Sequence, residues 1–187
     1  MRSSASANWL VLAALLGARA ACAAPPGITV QHAAARVVKG FYVVDAKLRY
    51  RWSEEAVKAL RHGVPLTAQV EIEVTRARDY WLDGQIAELR RGYRLEYHAL
   101  SERYVVSNLL TGARSIFPSL AAATAAMGSI AAVAVVTRRA LKPGLSYTFG
   151  LRAHLDIESL PAPMRPLAYF SSQWRLASPW HRWQVRP

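Results

Sequence analysis

A strict two-residue alternation over residues 145–157 constrains this chain more than any other feature. Seven apolar side chains occupy every second position: Leu145, Tyr147, Phe149, Leu151, Ala153, Leu155 and Ile157. Side chains of a β-strand alternate between the two faces of a sheet, so a strand places all seven on one face. We therefore expect a strand whose apolar face belongs to the core.

Two other segments alternate in the same way and extend the predicted sheet. Residues 66–75 alternate apolar and polar side chains, and residues 41–52 place apolar side chains on one face and a cationic set on the other. Turn signals at Asp83-Gly84 and at residues 108–112 predict hairpins. Shorter strands are expected at residues 28–38, 76–82, 85–91, 93–99, 104–106, 114–117 and 130–136.

Two short helices are expected between the strands. Ser53 can cap a helix over residues 54–62, and Ser119 can cap an alanine-rich helix that ends at Gly128. Strands about a dozen residues apart with two short helices favour a mainly β, antiparallel β-sandwich-like fold. We expect a single domain over residues 24–187, with an irregular Pro/Trp-rich tail that includes short strands near Trp174 and Trp183.

Residues 115–137 contain no charged residue and raise the alternative of a membrane-spanning helix. Alanine dominates this segment, and Pro118 and Gly128 interrupt it. A buried alanine-rich helix followed by a strand explains the composition better.

The N-terminus predicts export. Arg2 precedes an apolar run at residues 9–16 that is too short to span a bilayer, and Ala21-Cys22-Ala23 matches a cleavage pattern. We expect a signal peptide over residues 1–23, cut after Ala23 or one residue later, and a periplasmic mature protein. The alternatives are lipidation of Cys22, which the preceding residues disfavour because they lack the apolar residue of a lipobox, and an uncleaved anchor.

The net charge of +12 favours anionic partners, and loss of residues 1–23 would leave +10. An exported chain does not meet the genome or RNA, so we expect no nucleic-acid partner. Anionic envelope lipid or another protein remains. Cys22 is the single cysteine, so the chain cannot form an internal disulfide or a cysteine-based metal site.

Several short motifs follow one another in order along the mature chain. They are Gly63-Val64-Pro65-Leu66, Arg78-Asp79-Tyr80-Trp81, Tyr97-His98-Ala99-Leu100 with Tyr104-Val105-Val106, Leu155-Asp156, Leu160-Pro161, Pro163-Met164-Arg165, and Trp174-Arg175-Leu176 with Trp180 and Trp183. This ordered set resembles a family of exported bacterial proteins called domain of unknown function 4390, or proline-rich signal peptide protein. The resemblance implies a protein of a gram-negative envelope and supplies no catalytic residue. It also implies a signalling partner, because such proteins are encoded beside membrane sensor kinases.

Arginine and aromatic residues interleave at residues 47–52, 90–97 and 174–186. Guanidinium groups pair with carboxylates or phosphates and stack on aromatic rings, which is typical of binding surfaces. We expect this surface to include Arg49, Arg51, Trp52, Arg94, Trp174, Arg175, Trp180 and Trp183. For the three tail tryptophans the sequence leaves two alternatives open, a lid over the core or a part of the binding surface.

Two sets of residues could carry chemistry. His154, Asp156 and Glu158, spaced by two, would share one strand face and could bind a metal or move a proton, although a solvated strand face explains them as well. Glu71 and Glu73 suit cross-strand ion pairs better than glycoside hydrolysis. No nucleotide-binding loop occurs, and we expect no cofactor and no bound metal.

We therefore expect a non-enzymatic periplasmic binding or accessory protein of the cell envelope, with an envelope protein, such as a membrane sensor kinase, as its partner. A surface protein that binds anionic lipid or glycan is the first alternative. A hydrolase that uses His154, Asp156 and Glu158 is the second.

Overall fold

The alternation at residues 145–157 forms a strand, Tyr147–Leu155, in a computed structural model that describes residues 25–76 and 84–187. Every second side chain of this strand, beginning with Tyr147, is buried. The strand is shorter than predicted at both ends. Gly144 has a φ of 80°, so a turn precedes the strand, and a 3-10 turn at Ile157–Ser159 follows it.

Nine strands and three helices form the described part of the chain. In order they are β1 (Gly27–Val38), β2 (Phe41–Arg51), α1 (Glu54–Arg61), β3 (Leu66–Arg76), β4 (Gly84–His98), β5 (Arg103–Asn108), β6 (Arg114–Phe117), α2 (Leu120–Met127), β7 (Ser129–Thr137), β8 (Tyr147–Leu155), α3 (Arg165–Phe170) and β9 (His181–Val185). The mainly β class is confirmed, and so are α1 and α2, whose N-termini are capped by Ser53 and Ser119 as predicted. α3 was not predicted.

The strands form two antiparallel sheets. One has three strands in the order β1-β2-β7, and the other has six in the order β6-β5-β4-β3-β8-β9. β3 is central in the larger sheet because it pairs with β4 on one side and with β8 on the other, from Ala68 opposite Leu155 to Arg76 opposite Tyr147. The two strongest alternating segments of the sequence are therefore hydrogen-bonded neighbours.

A single apolar cluster lies between the two sheets. The inner side chains of β2, such as Val44 and Leu48, belong to the same buried cluster as Ile72 of β3 and Leu151 of β8. The ring of Tyr42 lies 6.0 Å from that of Phe149, which joins the sheets directly. Burial of these faces is the main stabilisation of the fold, and the sandwich prediction is confirmed.

Three local predictions were wrong. Residues 84–98 form one continuous strand, because Gly92 keeps its place opposite Gln69 in the ladder with β3 and does not end a strand. The alanine-rich helix α2 is only partly buried, with Ala123 and Met127 as its buried residues. Trp174 lies in a turn, although the predicted final strand exists as β9.

Some predictions concern residues outside the described ranges. The proposed signal peptide, with its cleavage site at Ala23 and with Cys22, lies before residue 25, and the expected strand at residues 76–82 falls mostly within the gap. No helix in residues 25–76 or 84–187 is long and apolar enough to cross a membrane. The uncharged segment 115–137 forms β6, α2 and β7 with their connections.

Gly128 allows α2 to end directly against β2. The backbone N–H of Leu48 donates to the carbonyl of Gly128 at 2.8 Å. A Cβ at position 128 would lie 2.1 Å from the Leu48 carbonyl oxygen, a distance that no side chain tolerates. The absence of a side chain at position 128 therefore fixes how close the helix can approach the strand.

We expect Gly128→Ala to lower the free energy of unfolding by about 1 to 3 kcal/mol, because the methyl group must push the two backbones apart. Urea denaturation followed by far-UV circular dichroism measures the change. The control is Ser129→Ala, at the exposed neighbouring residue, which should leave stability nearly unchanged. Equal stability of both variants would contradict the close contact.

Asp45 stabilises a register shift in the pairing of β2 with β7. Its carboxylate accepts from the Arg36 guanidinium at 2.6 Å and from the Ala132 backbone N–H at 2.8 Å. Ala132 has a φ of 50°, and the register of β2 and β7 shifts beside it. The hydrogen bond from Arg36, and then that from Ala132, hold the pKa of Asp45 below its usual range.

Because this pKa is lowered by folding, the charged carboxylate stabilises the fold above its unfolded pKa of about 3.9, and this contribution is lost as the pH falls through the folded value. We expect Asp45→Asn to be less stable than the wild type at pH 7. The difference should shrink below about pH 4. Denaturation at both pH values checks this, and a pH-independent difference would argue against the carboxylate's role.

Candidate functional site

A groove opens where β2 extends past the end of β7. The pairing of these strands ends at Lys47 opposite Ser129, and from there α2 lies beside β2 in place of a strand. Between them is a cavity of about 550 Å³, lined by apolar residues of α2 and by side chains of β2. Leu48, whose backbone N–H donates to Gly128, is one of the lining residues.

Trp52 separates three concave regions of the surface. It follows the last residue of β2 and borders the cavity of about 550 Å³ and two others of about 430 and 610 Å³. Its ring stacks on Tyr50 with centroids 5.4 Å apart, and its indole N–H donates to the Thr124 hydroxyl at 3.1 Å. Trp52 therefore connects β2 to α2 and has a fixed orientation.

The positive charge of the groove comes from the outer face of β2. Lys47 and Arg49 are exposed and line the cavity beside α2, and Arg51 lies at the border of the concave region of about 610 Å³. The Arg51 guanidinium donates to the carbonyl of Pro25 at 3.0 Å, and that of Arg49 lies 3.0 Å from the Gln31 amide. Within the described ranges, none of the three forms an ion pair with a carboxylate.

No described residue that lines the cavity beside α2 carries a carboxylate or an imidazole. Its wall from α2 consists of Leu120, Ala121, Thr124 and Ala125. Tyr50 is buried, and burial raises the pKa of its hydroxyl above the ordinary value. The groove thus combines an apolar wall and aromatic rings with two uncompensated cations.

The outer face of the larger sheet carries charges that are paired with one another. Glu71, with a side chain only 10% exposed, accepts from Arg152 at 2.5 Å and lies 3.8 Å from Arg90. The Glu73 side chain lies over Gly150, its neighbour on β8, and its carboxylate accepts from the Arg182 guanidinium at 3.2 Å. The expectation of cross-strand ion pairs for both glutamates is confirmed.

Trp180 lies on this same outer face. The guanidinium carbon of Arg152 is 4.7 Å from the centroid of its ring, and that of Arg182 is 5.3 Å away. Both arginines therefore contact a carboxylate and an aromatic ring at once. The cluster is largely neutralised by its own glutamates.

The structure separates the predicted surface residues into several places. Arg49, Arg51 and Trp52 lie together at the groove, whereas Arg94 lies on the outer face of the larger sheet and Arg175 is exposed in the tail. Trp174 is buried, and Trp183 packs at the core edge, 5.8 Å from Phe149. Each alternative therefore applies to part of the group of tail tryptophans. Trp174 and Trp183 pack with the core, whereas Trp180 lies on the surface.

His154, Asp156 and Glu158 do not share a strand face, so that expectation was wrong. β8 ends at Leu155, and Asp156 caps the following 3-10 turn by accepting from the Glu158 backbone N–H. Glu158 pairs with Arg165 at 3.4 Å and accepts from the Tyr169 hydroxyl. In residues 25–76 and 84–187, no three His, Cys, Asp or Glu side chains are grouped closely enough to hold a metal ion.

Sequence reasoning missed the part of the groove that α2 supplies. Ala121 and Ala125 were expected to be buried, yet they are exposed beside the cavity. The sequence contains one indication against full burial of α2. A helix with alanine on every side offers too little apolar surface on any one face to require it.

We expect Glu71→Ala to destabilise the domain by about 1 to 3 kcal/mol, because Arg152 loses the acceptor that balances its charge on the sheet. Thermal unfolding measures the change. Glu88→Ala is the control, since its ion pair with Arg90 is exposed and should contribute little. A larger loss for Glu88→Ala would contradict this assignment.

Comparisons with known proteins identify a family and no function. Neither a curated protein nor a solved structure matches the chain. The sequence model of one family, described as a domain of unknown function (DUF4390), matches residues 26–184 and therefore includes both sheets and the groove. This chain belongs to the DUF4390 family.

Proposed function

We propose that this protein is a non-enzymatic binding or accessory protein of the cell envelope that docks an acidic segment of an envelope protein in the groove beside Trp52. The observation that carries the proposal is the combination of a preformed apolar cavity with the uncompensated cations Lys47 and Arg49. The ion pairs of the described residues involve other arginines. A ligand carboxylate at the groove would thus meet positive charge without breaking an ion pair.

Trp52 has the properties of an interface anchor. Its ring is half-buried and held by stacking on Tyr50 and by the hydrogen bond to Thr124, so little side-chain freedom is lost when a partner covers it. Tryptophan and arginine are enriched among residues that dominate binding energy.

The chemistry of the groove supports binding over catalysis. No described residue that lines the cavity carries an imidazole or a carboxylate, the groups that most often act as general acid and base. His154, Asp156 and Glu158 instead participate in capping and ion pairing. Hydrolysis would need a nucleophile and a base within hydrogen-bonding distance.

The partner is inferred from compartment and charge. The signal-peptide pattern supports a periplasmic location, and an exported chain would have envelope proteins within reach. The extracytoplasmic part of a membrane sensor kinase is the partner that we favour. Nucleic acid does not fit an exported chain.

We expect Lys47→Glu with Arg49→Glu to reduce capture of the partner at least tenfold, because the acidic segment would meet like charge. The measurement is quantitative crosslinking in intact envelopes, followed by mass spectrometry of proteins attached near Trp52. Wild-type capture should also weaken as salt increases.

The matched control is Arg103→Glu with Arg175→Glu, which changes the net charge equally at exposed sites that do not line the cavity. This variant should capture the partner as the wild type does. Equal capture by all three proteins, with all of them equally folded, would sink the proposal.

A further inference from the structure

A second cationic surface lies at the end of the sandwich that is remote from Trp52. The turn between β1 and β2 contains Lys39, and the segment that links β7 to β8 contains Arg138, Arg139 and Lys142. The Arg138 backbone N–H donates to the Gly40 carbonyl at 2.8 Å, so these two connections adjoin. All four cationic side chains are exposed. We call this set the basic end.

The register of the sheets places further cations here. Arg76 is opposite Tyr147 at the last pair of β3 with β8, and Tyr147 is also opposite Val185, which precedes Arg186. The Tyr147 hydroxyl accepts from the Lys142 backbone N–H at 2.8 Å, which holds the segment between β7 and β8 against the start of β8. Groove and basic end are therefore at opposite ends, since β2 runs from Phe41 to Arg51 between them.

Within residues 25–76 and 84–187, no carboxylate pairs with a cation of the basic end. The described residues therefore give this end a positive excess. Such a field attracts an anionic surface and orients the molecule toward it.

Apolar side chains are exposed among these cations. Phe41, at the start of β2, is 45% exposed, Val37, at the end of β1, is 44% exposed, and Leu145 beside the Pro143-Gly144 turn is 38% exposed. A soluble anion or an acidic peptide could pair with the cations but leaves these side chains in water. A lipid surface accepts both, because cations contact headgroups while apolar side chains enter the boundary of the acyl chains.

We propose that the basic end binds the surface of an anionic lipid bilayer. Lys39, Arg138, Arg139 and Lys142 contact phosphate headgroups, and Phe41 and Leu145 insert at the interface. The docked molecule then presents the groove beside Trp52 away from the membrane. This surface does not share residues with the proposed protein-binding groove, so either can fail without the other.

The test is co-sedimentation with vesicles of phosphatidylcholine alone or mixed with phosphatidylglycerol. All proteins carry the same N-terminus, so differences between variants report the basic end. We expect the wild type to bind the anionic vesicles and to prefer them over neutral ones. We expect the partition coefficient to fall on the order of 100-fold in a triple variant with Arg138→Gln, Arg139→Gln and Lys142→Gln. Each lost cation weakens binding roughly fivefold, and the three factors multiply.

The matched control removes three exposed cations elsewhere, with Lys58→Gln, Arg61→Gln and Arg175→Gln, and should retain most of the binding. Leu145→Ser alone should weaken binding severalfold and leave salt dependence unchanged, because it removes only the apolar contact. Thermal unfolding confirms that every variant is folded. Equal binding to both kinds of vesicle, or equal losses in both triple variants, would overturn the proposal.

Discussion

The apolar core between the two sheets determines where the charges of this protein can lie. The inner faces of β2, β3 and β8 are occupied by apolar residues, so the cations that interleave with them are forced outward. On the outer face of the larger sheet they meet glutamates and are neutralised. On the outer side of β2 and at the turns between strands, the described residues include too few carboxylates to pair with the cations, and positive charge remains there. Both proposed binding surfaces follow from this division.

The sequence predicts those elements whose periodicity is enforced by burial. The strands around Val70 and Leu151 alternate strictly because one face of each contacts the core, and Ser53 and Ser119 specify helix starts through local hydrogen bonds. α3 was missed since its six residues show no period, and its start depends on Pro166, which also suits an irregular chain. Gly92 looked like a strand end, yet its pairing with Gln69 of β3 overrides that local preference.

The candidate site could be predicted only in part, because a groove is a property of several elements. Arg49, Arg51 and Trp52 are neighbours in sequence, so their proximity was predictable. The contribution of α2 was not, since it depends on the contact between Gly128 and Leu48, about 80 residues apart in the chain. In the tail, composition alone could not show that Trp180 lies on the surface whereas Trp174 and Trp183 are packed. The burial of each tryptophan depends on which tail residues lie beside β8.

The contact between Gly128 and Leu48 also determines how the groove can respond to a ligand. A helix anchored by a backbone hydrogen bond at one end and by the Trp52 indole near its middle cannot hinge independently of the strand. The opening between them is consequently stiff in the free protein. A partner would be selected by the width it finds there, and fast association with little reorganisation of the host is the kinetic signature of such a rigid receptor.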